Sequence, residues 1–254
     1  MPDARDKLKD SIRKLASTYG IEVVGFMKLE QECTIPEDEK ELLKGVKYTQ
    51  GEIDFKNIKN PRDIMPGART MIILGKRLLD DKHDISYTLS EHYTASVEFM
   101  ALDIASLKID SILKTQGYMS DEYTSYYLKV WAVYAGLGWI GKSRMFVSKV
   151  YGPRLRLKGI LTDAELGDPW ELLDDAMCGD CQQCIRACPV GAITDDGVDR
   201  RKCGQCPLNH RKISENAYSY CTACTMSCPV GKAVKPPVPP QPIDGVHSRR
   251  LSVK

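Results

Sequence analysis

Nine of the ten cysteines fall between positions 178 and 228. The first run, CGDCQQCIRACP, sets Cys178, Cys181, Cys184 and Cys188 in the order C-x2-C-x2-C-x3-C-P, the spacing of two-cluster iron–sulfur proteins, in which the fourth cysteine serves the other cluster. The second run, CTACTMSCP, supplies Cys221, Cys224 and Cys228. Two-residue gaps let a loop turn three thiolates onto one face of a cubane, and the fourth ligand must arrive from elsewhere in the chain. The expected ligand sets for two 4Fe–4S clusters are therefore Cys178, Cys181, Cys184 and Cys228, and Cys188, Cys203, Cys221 and Cys224. Cys206 is an alternative to Cys203, since both precede Cys221 by a short loop. Zinc sites use paired C-x2-C units without the crossed arrangement. Disulfides need an oxidising compartment, and no secretory signal is recognisable. The solitary Cys33 reads as a free thiol.

The chain has 254 residues and a net charge of +2, which argues against a general nucleic-acid binder. No apolar run has membrane-spanning length. So many thiolates suit a reducing cytoplasm, the expected location. Residues 1–165 are enough to bury a core of their own.

Along that stretch, Leu8, Ile12, Leu15 and Tyr19 recur at helical spacing, predicting a helix over 3–19 capped by Gly20. IEVVGFM (21–27) reads as a strand, 36–45 as a short charged helix and 46–63 as loop. Pro66-Gly67 is a turn before a buried strand at 70–74. The longest periodic segment, 91–114, predicts a core helix with Val97, Met100, Ala101, Ile104, Leu107 and Ile112 on the buried face. Strands are expected at 145–149 and 155–162 about a tight turn at Gly152-Pro153. An acidic connector (163–175) precedes the cysteines, and KPPVPPQP (235–242) follows as extended chain.

GLGWIGKS (136–143) satisfies both the G-x-G-x-x-G and the G-x-x-x-x-G-K-[ST] patterns. Both need a strand before and a helix after, whereas MFVSKVYGP reads as strand and turn. These glycines are instead expected to permit close backbone packing against a large flat ligand or another element.

AGLGWIGK (135–142) followed by the cysteine runs resembles the epoxyqueuosine reductase family, which is related to the reductive dehalogenases. YGIEVVGF (19–26), DIMPGARTMIIL (63–74) and YGPRLRLKGILTDAEL (151–166) extend the resemblance over roughly residues 19–230. It implies an α/β (α+β) fold: a nitroreductase-like three-layer core over 1–167, an appended ferredoxin-like double-cluster domain over 168–234 and a proline-rich tail over 235–254. It further implies a base-off cobalamin fed with electrons by the clusters, with flavin as a less favoured alternative. Gly136, Gly138, Trp139, Gly141 and Lys142 are the expected cofactor-binding residues. The family's catalytic Asp lies thirteen residues before the Ala of AGLGW; counting back from Ala135 reaches Glu122, flanked by Asp121 and Tyr123. These three are the candidate proton donors. The expected partners are a small-molecule or modified-nucleoside substrate and a reduced ferredoxin or flavodoxin. Family members that act on tRNA carry a further helical-repeat region, so tRNA itself is the doubtful partner. The competing function is an electron-transfer or corrinoid-activating protein without substrate chemistry of its own.

Overall fold

The computed structural model describes residues 3–29, 47–48, 51–52, 60–79, 84–90, 93–123, 128–169 and 178–234. Cys33, the helix expected at 36–45 and the proline-rich tail lie outside these residues.

Helix α1 (Ala4–Thr18) buries Ile12 and Ala16, with Leu8, Leu15 and Tyr19 packed beside them, and the chain reverses at Gly20 (φ 66°). Strand β1 (Val23–Lys28) follows. The segment expected to be loop contains a small pair, β2 (Lys47–Tyr48) with β3 (Gly51–Glu52), and a single turn, α2 (Pro61–Ile64). That turn carries a local signal the periodicity missed. The Asn60 side chain accepts the Arg62 N–H at N2, and Pro61 occupies the first helical position, where its missing N–H costs nothing.

Strand β4 (Thr70–Arg77) is buried along all eight residues, as a central strand covered on both faces must be. Hairpin β5 (Asp84–Ser90) and β6 (Tyr93–Ser96) leads into helix α3 (Val97–Thr115), which starts where the Ser96 hydroxyl accepts the Phe99 N–H at 3.4 Å. The expected helix at 91–114 therefore begins about six residues later than its periodicity suggested. Its buried stripe is Leu102, Ala105, Ile109 and Leu113. The predicted face is rotated away from the core: Ile104 is 47% and Leu107 69% exposed. Both faces of α3 carry aliphatic residues, so periodicity alone could not choose between them.

The chain then forms β7 (Ser120–Tyr123), α4 (Leu128–Tyr134), β8 (Gly138–Ile140), β9 (Phe146–Ser148) and β10 (Leu155–Thr162). The two strands expected about Gly152-Pro153 exist but do not pair. β9 pairs with β8, and β10 inserts between β4 and β7. The resulting antiparallel sheet has the order β1-β4-β10-β7. Alternation along β4 distributes its side chains: Met71 and Ile73 join α4 and the β8–β9 hairpin on one face, and Ile72 and Leu74 join α1 and α3 on the other. This is a three-layer α/β core.

Beyond residue 178 come three one-turn helices, α5 (Gln183–Ala187), α6 (Arg200–Gly204) and α7 (Ala223–Ser227), and the hairpin β11 (Arg211–Ser214) with β12 (Ala217–Tyr220). Strand β12 pairs with β5 of the core, giving a second sheet ordered β11-β12-β5-β6. A sheet thus runs across the boundary between the core and the cysteine-rich module. No helix among the described residues is long and apolar enough to cross a membrane.

Candidate functional site

Each cysteine run places one cysteine on a one-turn helix: Cys184, the third of the first run, on α5, and Cys224, the second of the second run, on α7. These helices pack against each other, which crosses the runs. Burial raises the Cys184 thiol above its ordinary pKa, and Cys178 and Cys181 add to the effect. Burial also raises Cys228, where the same two residues, Cys178 and Cys181, face it from the other run. Cys224 is pushed up to about 11 by burial, with Cys203, Cys221 and Cys184 as its sulfur neighbours. Burial raises Cys221, whose thiol meets Cys206 and Cys203. Cys178 and Cys181 thus neighbour both Cys184 and Cys228, while Cys203 neighbours both Cys221 and Cys224, with Cys206 also at Cys221 and Cys184 also at Cys224. Cys188 has its Sγ accepting the Ala192 N–H at 3.2 Å. Cys203 faces both Cys221 and Cys224, whereas Cys206 is buried against Cys221.

All nine described cysteines are free thiols. Among the described residues no three His, Cys, Asp or Glu side chains converge on a single ion. The donor chemistry and spacing fit 4Fe–4S clusters.

Asn209, which sequence reading passed over, bridges the second set. Its amide NH2 donates to the Cys203 carbonyl, and its side-chain oxygen accepts the Cys221 N–H at 2.8 Å. Arg154 does comparable work on the first set. Nearly fully buried, its guanidinium donates to the carbonyls of Val230 (2.6 Å), Cys228 (3.1 Å) and Met226 (3.4 Å). Arg77, equally buried on β4, donates to Val234 at 2.7 Å. No local pattern marks either arginine, because the partners lie far along the chain.

The glycine motif lies at this seam. It follows helix α4 and opens into strand β8, the reverse of the strand–turn–helix order that phosphate loops need. Gly138 is required by the hairpin, since an added Cβ would stand 2.1 Å from the Val147 carbonyl oxygen. Gly141 faces the cysteines, and its absent Cβ would sit 3.6 Å from Cys178 Sγ. Gly136 adopts φ 67° at the end of α4. Trp139 is buried, and its Nε1–H has no acceptor among the described residues. Lys142 pairs with Asp195 at 3.3 Å. The orphaned Trp139 donor fits a prosthetic group at this point, while the space beside Gly138 and Gly141 is filled by Phe146 and Val147 of the hairpin itself.

The candidate proton donors separate. Glu122 lies half exposed on β7 and pairs with Lys158 at 2.6 Å, which also holds Asp103 of α3 at 2.8 Å. Burial alone would lower the Lys158 ammonium, but its bonds to Asp103 and Glu122 outweigh it and hold the pKa above its ordinary value. Tyr123 points to the opposite face, wholly buried, with Trp131 Nε1 donating to its hydroxyl at 2.9 Å. The exposed Asp121 carboxylate accepts the Glu122 N–H at 2.7 Å. Of the three, Tyr123 packs in the same apolar cluster as the glycine hairpin.

Beside the second cysteine set, a groove of about 690 Å³ is lined by residues of β5, β11 and β12 and by the start of α3. Tyr87, Val97, Leu208, Ile213 and Met226 give it apolar walls, and Cys221 lies in its lining.

Residues 172–194 match the family described as 4Fe-4S binding domain. The chain is 28% identical over 198 residues to an epoxyqueuosine reductase of Leadbetterella byssophila, covering 72% of this chain and 65% of that protein. It is 26% identical over 257 residues to one of Cyclobacterium marinum, covering 91% and 81%. The chain thus spans less than two thirds of the first of these and about four fifths of the second. Among solved structures, epoxyqueuosine reductase from Streptococcus thermophilus has a TM-score of 0.60 at 23% identity, covering 93% of this chain and 68% of that one. An epoxyqueuosine reductase solved with an epoxyqueuosine-modified tRNA stem loop has a TM-score of 0.58 at 18% identity, covering 90% and 66%. A catabolic reductive dehalogenase solved with 3-bromo-4-hydroxybenzoic acid has a TM-score of 0.54 at 15% identity, covering 86% and 31%. The cysteine order, the mixed α/β fold with its 4Fe–4S binding domain and these likenesses together make the chain similar to the epoxyqueuosine reductases.

Proposed function

We propose that the chain is an oxidoreductase of corrinoid type, in which two 4Fe–4S clusters deliver electrons to a base-off cobalamin that reduces an electrophilic substrate. The observation that carries this reading is the contact between Gly141 and Cys178 Sγ. It makes the glycine motif and the first cluster set two sides of one surface, so that an electron leaving the cysteine module emerges at the core. In this reading the core runs to residue 167 and the cluster module over 168–234. The first cluster is held by Cys178, Cys181, Cys184 and Cys228. The second is held by Cys188, Cys203, Cys221 and Cys224, with Cys203 preferred to Cys206 because it faces both Cys221 and Cys224. Gly136, Gly138, Trp139, Gly141 and Lys142 line the corrinoid side, with Trp139 Nε1 as a donor to it. When bound, a corrinoid supplies a strongly reducing, nucleophilic metal centre. The protein's part is to position the substrate and provide a proton.

Glu122 is the candidate proton-donating carboxyl from its place thirteen residues before Ala135, with Lys158 holding it beside Asp103 on the α3 face of the sheet. A second reading, Tyr123 as donor, is favoured by its place in the apolar cluster of the glycine hairpin.

The substrate follows the relatives. A similarly folded epoxyqueuosine reductase holds an epoxyqueuosine-modified tRNA stem loop, so the doubt over tRNA is withdrawn and the proposed substrate is a modified nucleoside carried by tRNA. A reduced ferredoxin or flavodoxin suits the groove at Cys221. Residues 201–212 beside it hold Arg201, Lys202, Arg211 and Lys212 and no acid, a rim for an acidic carrier.

Anaerobic loading with iron and sulfide, followed by separate titrations with cobalamin and flavin, tests the reading. The expected result is stoichiometric cobalamin with an absorption spectrum characteristic of the base-off form. Flavin binding instead, or no corrinoid bound at micromolar concentration, overturns it.

A further inference from the structure

Arg5 of α1, Lys28 at the end of β1, Arg62 of α2 and Arg69 just before β4 line an open cleft of about 600 Å³, which the function above does not use. The cleft lies at the end of the main sheet where Lys28, Thr70 and Thr162 stand side by side, opposite to the end that holds Arg77 and Leu155. Hydrogen bonds bring the cations together in two pairs. Leu29 ties the first pair: the Arg62 guanidinium donates to its carbonyl at 3.1 Å, and its N–H donates to the Arg69 carbonyl at 2.8 Å. Gly167 and Asp168 tie the second pair. Arg5 Nη2 donates to the Gly167 carbonyl at 2.8 Å, and the Lys28 N–H donates to the Asp168 carbonyl at 2.9 Å. Gly167 permits that approach, since an added Cβ would stand 2.4 Å from the Lys28 backbone nitrogen.

The charges of the lining do not balance. Among its described residues Glu165 is the one acid, against four cations. Glu165 pairs with Arg69, but the two side chains are 75% and 60% exposed, and so exposed an ion pair contributes about 1 kcal/mol or less. Asp168, outside the lining, is shared between Arg5 at 2.9 Å and the buried Lys9 at 2.6 Å. A cleft walled by cations from four parts of the chain, on a fixed backbone, focuses a positive potential on whatever enters it.

We infer that this cleft binds the phosphodiester backbone of an RNA. Its volume and its two separate cation pairs suit neighbouring phosphates of one strand better than a single small anion. Arginine forks match phosphate oxygens two at a time. That the polyanion is RNA rests on the reading of the substrate as a nucleoside carried by tRNA; the excess of positive charge does not. The place agrees with that reading. Thr70 pairs with Thr162, and Thr162 with Ser120, the first residue of β7. Two strand spacings, about 10 Å, therefore separate the cleft from the strand that carries Asp121, Glu122 and Tyr123. Phosphate contacts here would set the register of the RNA on the protein without reading its bases.

The test uses the full cluster-loaded chain and the variants Arg69→Gln, Lys28→Gln and the double variant. Both residues are exposed, and iron content checks that each variant has folded. Binding of a labelled, unmodified anticodon stem loop is followed by fluorescence anisotropy over a range of salt, with a second stem loop of different sequence beside it. Each single substitution should weaken both RNAs about fivefold and reduce the slope of log affinity against log salt by about 1. Lys108→Gln, at an exposed lysine of α3, should match wild type. If wild type binds RNA and the double variant keeps its affinity and salt slope, the inference is overturned and the substrate reading stands. An equal loss in Lys108→Gln also overturns it, because the attraction is then spread over the surface. No RNA binding by wild type removes the substrate reading and this inference together. Variants that keep RNA but lose reduction by a reduced flavodoxin overturn it in favour of an acidic protein partner.

Discussion

Gly152 is the residue whose substitution tests the seam most directly. It sits at φ 60°, and a Cβ there would stand 2.1 Å from the Val230 carbonyl oxygen. Gly231 faces it at φ 78°, with its own absent Cβ 2.3 Å from the Tyr151 carbonyl carbon. Two backbones cross here with no side chain between them. Gly152→Ala adds left-handed strain of about 1–2 kcal/mol. It also pushes Val230 away from Arg154, which now donates to it at 2.6 Å; a lost bond to a charged donor costs about 1.5–3 kcal/mol. Together these make about 3–5 kcal/mol, a large part of the stability of an ordinary domain. Because Val230 follows Cys228 by two residues, the displacement should reach the first cluster set. Cluster-loaded proteins unfold irreversibly, so the measurement is the rate at which visible absorbance and bound iron are lost anaerobically on warming with a chelator. Gly152→Ala should lose iron at least tenfold faster than wild type. Gly67→Ala, where an added Cβ meets nothing within 4 Å, should match wild type. Equal iron retention in the two variants would refute the account of the seam.

Other consequences are measurable in the same preparations. Asn209→Ala removes the bridge between Cys203 and Cys221 and should leave a protein that loads about half the iron of wild type, the second cluster failing first; full loading would show that Asn209 is dispensable. Glu122→Gln should abolish turnover with little change in stability, since Lys158 keeps Asp103. Tyr123→Phe removes the acceptor of the buried Trp131 Nε1–H and should cost about 1–3 kcal/mol; if instead it stops turnover while Glu122→Gln does not, the phenol is the donor. Because burial, then Arg200 and Arg144, lower the folded pKa of Lys129 to about 8 from its ordinary 10.5, the unfolded chain binds more protons between these values. Stability should therefore rise with pH across that window, by up to about 3 kcal/mol, seen as slower iron loss on warming at higher pH, and Lys129→Met should flatten that pH dependence. Arg211→Glu should slow cluster reduction by a reduced flavodoxin at low salt and leave reduction by dithionite unchanged.

The cysteine module was the most legible part of the chain, because ligand spacing is local. Cys178, Cys181 and Cys184 are set by two-residue gaps and Pro189, and the crossed partner Cys228 follows from the same rule. The glycines of 136–141 were legible as close-packing residues but not in their individual tasks. Gly138 answers to Val147 across a hairpin and Gly141 to Cys178, distinctions that no pattern of glycines encodes. Strands β5 and β6 were hidden by the apolar periodicity of the helix that follows them. Their partner β12 lies more than a hundred residues onward, so pairing could not be read from either segment. Likewise the two apolar sides of α3 left its orientation to be fixed by the sheet beneath it.

What remained unreadable has one physical cause. Each element that locks the cysteine module to the core is a polar group satisfied at long range. Arg154 reaches carbonyls more than seventy residues away, and Arg77 reaches Val234 across 157 positions. Buried guanidinium groups are costly to desolvate and are retained only where several acceptors converge. Here the acceptors are carbonyls at the end of α7 and just beyond Cys228, which cannot be satisfied by a helix that stops after one turn. The short cluster-binding helices therefore create the need that the core arginines answer. A cysteine module with longer helices would not require Arg154, and a core without Arg154 would leave the Cys228 loop unanchored. Replacing Arg154 by Met should accordingly release iron from the first cluster in preference to the second, whereas a merely electrostatic role would be preserved by Arg154→Lys and shift only the midpoint potential.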